Sequence, residues 1–273
     1  MVSVIFFLSS GLFLGWTLGA NDAAYIWGTA VGTRMVSFKK AALLCGIFVT
    51  LGAVLSGYGA SEGLGALGRI NALPGAFTVA LAAGLSVFWM TRLALPVSVT
   101  HAIVGAIIGW SLFSNNPVDY SALQKILLTW LYSPLLTAIF SALFFFLIRT
   151  FLRKRHFHLL RVDAWTRGAM LTIGAFGSFS LGANNIGNVI GVFLPSNPFQ
   201  NLDIFNLFTI SGTHILLFLG GLAISVGVFM YSKKVMMTVG VKIFPLSPLD
   251  ALVVIFSSAL VLFLFASQEL NAF

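Results

Sequence analysis

Long apolar runs alternate with short polar or basic stretches along this chain. A membrane-spanning helix needs about 20 apolar residues, whereas a barrel strand is about half as long and alternates with period two. The runs here match the helical pattern, and we predict an all-α integral membrane protein. Its predicted crossings lie at 3–33, 40–58, 74–91, 95–113, 121–149, 168–194, 207–231 and 247–267.

Two similar polar strings interrupt these runs. Gly-Ala-Asn-Asp occupies Gly19–Asp22, and Gly-Ala-Asn-Asn occupies Gly182–Asn185, with a further amide at Asn188. Unpaired amides and carboxylates cost several kcal/mol in hydrocarbon, so the strings indicate a binding site. Glycine and alanine let helices approach closely or break. The alternative is small-residue helix packing in which Asp22 reaches the membrane surface.

Charge is sparse and unevenly placed. Only 8% of residues are charged, and 15 basic residues outnumber seven acidic ones. So few charges exclude a soluble domain, and the clusters between apolar runs indicate membrane orientation, not nucleic-acid binding. The basic connections follow the first, third, fifth and seventh runs, so the positive-inside rule predicts an external N-terminus in the cell (inner) membrane.

This alternation places the two polar strings on runs of opposite direction. Opposed copies of one unit form an inverted repeat, the usual architecture of secondary transporters, with substrate bound near the midplane. We predict a first repeat at 1–149, a basic cytoplasmic linker at 150–167 and a second repeat at 168–273.

A third string reads Pro-Val-Ser-Val-Thr-His at Pro96–His101. Proline breaks a helix or begins one. The hydroxyl groups and the imidazole that follow are hydrogen-bond donors suited to an anion.

These strings resemble the signatures of the phosphate permease (PiT) family of inorganic phosphate transporters. That family carries Gly-Ala-Asn-Asp and Pro-Val-Ser-Thr-Thr-His signatures, one of each per inverted repeat. The resemblance implies a helical bundle with broken helices, often a homodimer, which carries phosphate with sodium or a proton and needs no other cofactor. By position it implies substrate-binding residues Asn21, Ser98, Thr100, His101 and Asn184. It also implies a coupling-ion site, with sodium near Asp22, formed by Asp22, Asn185 and Asn188.

The sequence departs from the family pattern twice. Asn185 replaces the second aspartate, which weakens cation binding, favours proton coupling through Asp22 and makes sulfate less unfavourable. No second Pro-Val-Ser string precedes Phe273, so the second repeat is expected to be incomplete, with truncation the favoured explanation. The alternatives to a phosphate transporter are a sulfate permease, a passive anion channel, and a non-transporting subunit or receptor.

The remaining polar residues suggest no further chemistry. Neither metal-ligand spacing nor a catalytic triad is visible, so we expect no enzyme activity. Cys45 has no cysteine partner. His156 and His158 are expected to be solvated in the linker, and His214 to join neighbouring helices.

Overall fold

The structure, a computed structural model, describes residues 2–68, 70, 72–154, 159–204, 208–243 and 246–271. This part of the chain is almost entirely helical. A 3₁₀ turn spans Gly191–Ser196, and a π-helical turn spans Thr238–Ile243. A short antiparallel hairpin joins β1 (Leu202–Ile204) to β2 (Phe208–Ile210). The helices are α1 Val2–Gly32, α2 Phe38–Ser56, α3 Tyr58–Gly65, α4 Leu73–Arg92, α5 Val99–Phe113, α6 Tyr120–Lys154, α7 Leu159–Ile190, α8 Gly212–Met237 and α9 Pro248–Asn271.

Most of the predicted crossings are confirmed as long helices. Six helices of the described chain are long and apolar enough to span a membrane, namely α1, α2, α4, α6, α8 with its π-helical turn, and α9. Helix α7 is longer than the apolar run at 168–194 because it begins within the basic stretch. Helix α5 has 15 residues and is about 22 Å long, which is less than a hydrocarbon core of about 30 Å. The helix is therefore shorter than the crossing predicted at 95–113, whose first four residues precede it.

Three further features of local structure refine the expectations. Neither Gly-Ala-Asn string breaks its helix, because α1 and α7 continue through both strings. Helices α6 and α7 extend into the basic stretch 150–167 from both sides, and its role as a linker stays a prediction. The seventh run starts with β2, not with a helix. His156 and His158 lie outside the described residues.

The two helices that carry the polar strings run antiparallel. Trp27 of α1 donates a 2.9 Å hydrogen bond to Ser178 of α7, while Asp22 lies beside Asn185. Nearer the start of α1, Gly15 packs against Val189. Advancing along α1 therefore means moving backwards along α7. This is the opposed orientation that the charge pattern predicts for the two strings.

The glycines of the two strings mark close helix crossings. A Cβ atom on Gly19 would lie 1.9 Å from the carbonyl oxygen of Ile224 in α8. A Cβ atom on Gly182 would lie 2.0 Å from that of Val49 in α2. Only glycine fits where two backbones come this close. Each string therefore fixes its helix against a helix of the other predicted repeat.

These contacts repeat across the bundle. Helix α1 packs against α8 and α4, and α7 packs against α2 and α9. Suppose that α1, α2 and α4 correspond to α7, α8 and α9. The contact of α1 with α8 then corresponds to that of α7 with α2, and the contact of α1 with α4 corresponds to that of α7 with α9. A duplicated unit produces this arrangement, and the inverted repeat with its boundaries 1–149 and 168–273 remains a prediction.

Candidate functional site

The chain breaks between α4 and α5, as the proline string predicted. The end of α4 is closed by two backbone hydrogen bonds, from Leu95 to Met90 (3.1 Å) and from Ala94 to Thr91 (2.9 Å). This closure requires a left-handed residue, and Ala94 supplies it with φ of 57°. Pro96 follows and cannot extend the helix.

Helix α5 then starts from a side-chain cap. The Ser98 hydroxyl oxygen accepts a 3.3 Å hydrogen bond from the backbone N–H of His101. This cap places the remaining free amides of the first turn of α5 beside the break. Such a turn attracts anions.

Asn21 holds the break against α1. Its side-chain nitrogen donates to the Thr91 hydroxyl (3.0 Å) and the Leu95 carbonyl (2.9 Å), and its oxygen accepts from the Val97 backbone (3.0 Å). Both amide hydrogens are used, and the side chain is fully buried. Asn21 thus positions the proline string in this structure, and its predicted direct contact with substrate stays untested. Tyr25 adds a longer bond of 3.4 Å to the Val97 carbonyl.

Asn21→Ala is expected to loosen the connection between α4 and α5. The change removes three hydrogen bonds, one buried and two partly buried, and leaves the Val97 N–H without its side-chain acceptor, at a local cost of about 2 kcal/mol. Hydrogen exchange in the 93–97 segment should then accelerate about 30-fold. Ser86→Ala, which removes an exposed bond within α4, is the control and should leave this segment unchanged. Equal exchange in wild type and Asn21→Ala would contradict the positioning role.

A chain of polar side chains joins the second string to α5. Asn188 donates 3.0 Å to the Thr100 hydroxyl and 3.4 Å to the Asn185 side-chain oxygen. Asn185 in turn points its nitrogen toward an Asp22 carboxylate oxygen at 3.5 Å, the long limit of a hydrogen bond. Four predicted site residues from three helices therefore form one connected group, namely Asp22, Thr100, Asn185 and Asn188.

Asp22 is the chemically unsatisfied member of this group. It is only 6% exposed, and its Oδ1 atom accepts no hydrogen bond from the described residues. A buried carboxylate without a partner is costly, so the site favours a cation or a proton on this oxygen. Asn185, the neighbour of Asp22 in this polar chain, carries a neutral amide oxygen. Amide oxygens, like carboxylates, are suitable ligands for a hard cation.

The other predicted residues are placed less centrally. The His101 ring Nδ1 lies 2.5 Å from the Ser98 hydroxyl, and the ring stacks on Trp130 of α6 at 3.7 Å between centroids. Both Ser98 and His101 are exposed. Asn184 is half-buried and makes no hydrogen bond to the described residues of the polar chain. Its predicted role in binding substrate stays a prediction.

Among the described residues His214 bonds within its own helix and not to a neighbouring one, contrary to expectation. It is exposed, and its Nδ1 lies 2.6 Å from the hydroxyl of Ser211, which caps its own helix α8. Ser211 caps α8 by accepting a hydrogen bond from the backbone N–H of His214, three residues later. This cap brings the Ser211 hydroxyl next to the His214 ring. The same local arrangement occurs at Ser98 and His101.

Three residues of this region were not predicted from the sequence. Thr91 contacts Asn21, Tyr25 contacts Val97 and Trp130 contacts His101, yet the three lie 29 to 72 residues from these partners and match no motif. The only local signal is the position of Thr91, a hydroxyl next to Arg92 at the basic end of α4.

The fold and this site together define a multi-pass helical membrane protein with a buried polar group between antiparallel helices and a broken helix. The model of the phosphate transporter family matches residues 18–271, and the chain belongs to that family. Its members are transporters, which confirms the expectation that this chain is not an enzyme.

Named relatives and a solved structure agree with this assignment. The chain is 38% identical over 155 residues to sodium-dependent phosphate transporter 1 of Mus musculus, across 50% of this chain and 22% of that protein. It is 30% identical over 189 residues to a sodium-dependent phosphate transporter of Plasmodium falciparum, across 61% and 27%. A solved structure of a sodium-dependent phosphate transporter has the same fold, with a TM-score of 0.79 at 24% identity, covering 98% of this chain and 85% of that one.

Proposed function

We propose that this protein is a secondary active transporter that carries inorganic phosphate together with a cation. The observation that carries the proposal is the polar chain from the unsatisfied Asp22 carboxylate to Thr100, in the first turn of α5. This chain links the Asp22 carboxylate, which favours a bound cation, to the N-terminus of α5, which attracts anions. Family membership and the names of the relatives support phosphate, and nothing in them supports sulfate.

The coupling cation binds at Asp22 in this proposal. Sodium is the first candidate because the relatives are named sodium-dependent, and because carboxylate and amide oxygens suit a hard cation. A single carboxylate with the Asn185 amide gives a site of one negative charge, so one monovalent cation neutralises it. A proton would neutralise it equally, and the uptake experiment below separates the two.

The anion binds at the first turn of α5, where Ser98, Thr100 and His101 offer hydroxyl, amide and imidazole groups. Thr100 already accepts from Asn188, which leaves its hydroxyl hydrogen available to an oxyanion. Asn184, from the second string, completes the site in this proposal. Asn21 contributes indirectly by fixing the break.

The membrane setting is proposed from charge and length. We place the protein in the cell membrane with its N-terminus outside and surrounded by lipid, and a homodimer is the proposed assembly. In a Cys45→Ala background, an impermeant maleimide applied to intact cells should label Gln200→Cys and not Lys39→Cys. The reverse pattern would overturn the orientation.

Uptake by the purified chain in proteoliposomes tests the proposed function. Labelled phosphate should accumulate above its external concentration when an inward sodium gradient is imposed, and a tenfold excess of sulfate should reduce the rate by less than half. Accumulation driven by a proton gradient in the absence of sodium would show that the coupling ion is the proton and not sodium. Full competition by sulfate would overturn phosphate selectivity, and equilibration without accumulation would indicate a channel. No uptake of either anion would refute transport by this chain.

A further inference from the structure

A cleft that shares no residue with the candidate site opens between the C-terminal part of α6 and the first turns of α9. Its volume is about 370 Å³, within the size range of small-molecule sites. Most of the side chains that line it are apolar. These are Phe145 and Ile148 of α6 and Leu249 and Val253 of α9.

The cleft also contains one group of each charge. Arg149 and Asp250 both line it, yet they form no ion pair, and the only ion pair within the described ranges joins Arg167 to Asp163. The Arg149 guanidinium lies 5.7 Å from the centroid of the Phe145 ring. One Asp250 oxygen accepts 2.7 Å from the Ser247 hydroxyl. The two charges are thus held on opposite helices with space between them.

The position of the cleft matches a membrane surface. The apolar span of α6 ends at Phe151, and that of α9 begins at Pro248. The cleft therefore lies where two spans meet the boundary of the hydrocarbon. Phospholipid headgroups occupy this level, and charged pockets between membrane helices bind them.

We propose that this cleft binds a glycerophospholipid whose headgroup carries a primary ammonium group, such as phosphatidylethanolamine. Arg149 pairs with the lipid phosphate, and the ammonium group donates hydrogen bonds to Asp250. The apolar walls cover the upper part of an acyl chain. Phosphatidylcholine fits less well because its quaternary ammonium cannot donate, and phosphatidylglycerol leaves Asp250 without a cation. This site is independent of the transported anion.

Native mass spectrometry of the detergent-purified full chain tests this proposal with equimolar dioleoyl phosphatidylethanolamine, phosphatidylcholine and phosphatidylglycerol. We expect phosphatidylethanolamine to be enriched at least about tenfold over the other two, the ratio given by one charge-assisted hydrogen bond. Asp250→Asn should remove the preference for phosphatidylethanolamine over phosphatidylcholine. Arg149→Gln should weaken retention of both.

Two further variants keep the result interpretable. Asp163→Asn removes a carboxylate of the surface ion pair outside the cleft and should leave the enrichment unchanged. Leu249→Trp fills the cleft while keeping both charges, and should abolish retention. The proposal would be overturned if all three lipids bound equally, or if the enrichment survived Asp250→Asn or Leu249→Trp. Displacement of the lipid by millimolar inorganic phosphate would also overturn it. The proposal would also be overturned if the wild-type protein formed a lipid-free dimer and Leu249→Trp dissociated that dimer. A second copy of the chain, not a lipid, would then cover the cleft.

Discussion

Asp22→Asn is expected to abolish cation-driven phosphate uptake while the protein still inserts and folds. The substitution keeps the size of the side chain and removes its negative charge. Without that charge, the unpaired Oδ1 atom of Asp22 no longer attracts a cation. Removing one partner of a buried charge interaction costs about 3 kcal/mol or more, so the apparent affinity for sodium should fall at least about 100-fold. The measurement is phosphate accumulation in proteoliposomes against imposed sodium gradients, with protein amount and melting temperature matched.

Two companion variants separate the coupling role from a general loss of charge. Asp163→Asn changes an exposed carboxylate and should transport like wild type. Asn185→Asp adds a second carboxylate beside Asp22 and should raise the affinity for sodium, since two ionised carboxylates this close repel each other and a bound cation relieves the repulsion. Accumulation against a gradient by Asp22→Asn would exclude Asp22 as the coupling residue.

Gly182→Ala is expected to destabilise the bundle strongly. The new Cβ would lie 2.0 Å from the Val49 carbonyl oxygen, a backbone atom that moves only if α2 and α7 separate. Overpacking of this kind costs about 3 kcal/mol, which lowers the melting temperature by roughly 6 to 12 °C for a chain of this size. Differential scanning fluorimetry of the tryptophan signal in detergent measures this shift.

The chain offers a matched control for this substitution. A Cβ on Gly105 of α5 would meet no atom within 4 Å, so Gly105→Ala should be neutral or stabilising by about 0.5 to 1 kcal/mol. Gly19→Ala should behave like Gly182→Ala, because it meets the Ile224 carbonyl at 1.9 Å. A melting temperature for Gly182→Ala equal to that of wild type would show that the two helices are not packed as described.

The sequence predicted the helical class, the break at Pro96 and the opposed direction of the two strings. These features depend on local signals, namely run length, a proline followed by a capping serine, and the distribution of basic residues. The function of the string glycines was harder to predict. Gly19 permits either a helix break or a close crossing, and only the position of α8 decides for the crossing.

Long-range partners could not be predicted from one sequence. Asn21 offers both donors and acceptors, and whether it meets a substrate or the Leu95 carbonyl depends on how α4 ends. His214 looked suited to joining helices, but the nearby Ser211 hydroxyl captures its ring. Trp130 has no motif, and its stacking on His101 arises from the packing of α6 beside α5. For Asn21 and His214 the chemistry of the side chain could be predicted from the sequence, but its hydrogen-bond partner could not.

In the proposed mechanism, one polar chain couples a cation at Asp22 to an anion at the first turn of α5. Equilibrium binding of labelled phosphate to the purified protein, measured with and without sodium, tests it most directly. By linkage, sodium should tighten phosphate binding, phosphate should tighten sodium binding by the same factor, and Asp22→Asn should abolish both effects. Phosphate affinity that is independent of sodium and protons in wild type, or a sodium effect that persists in Asp22→Asn, would contradict the claim.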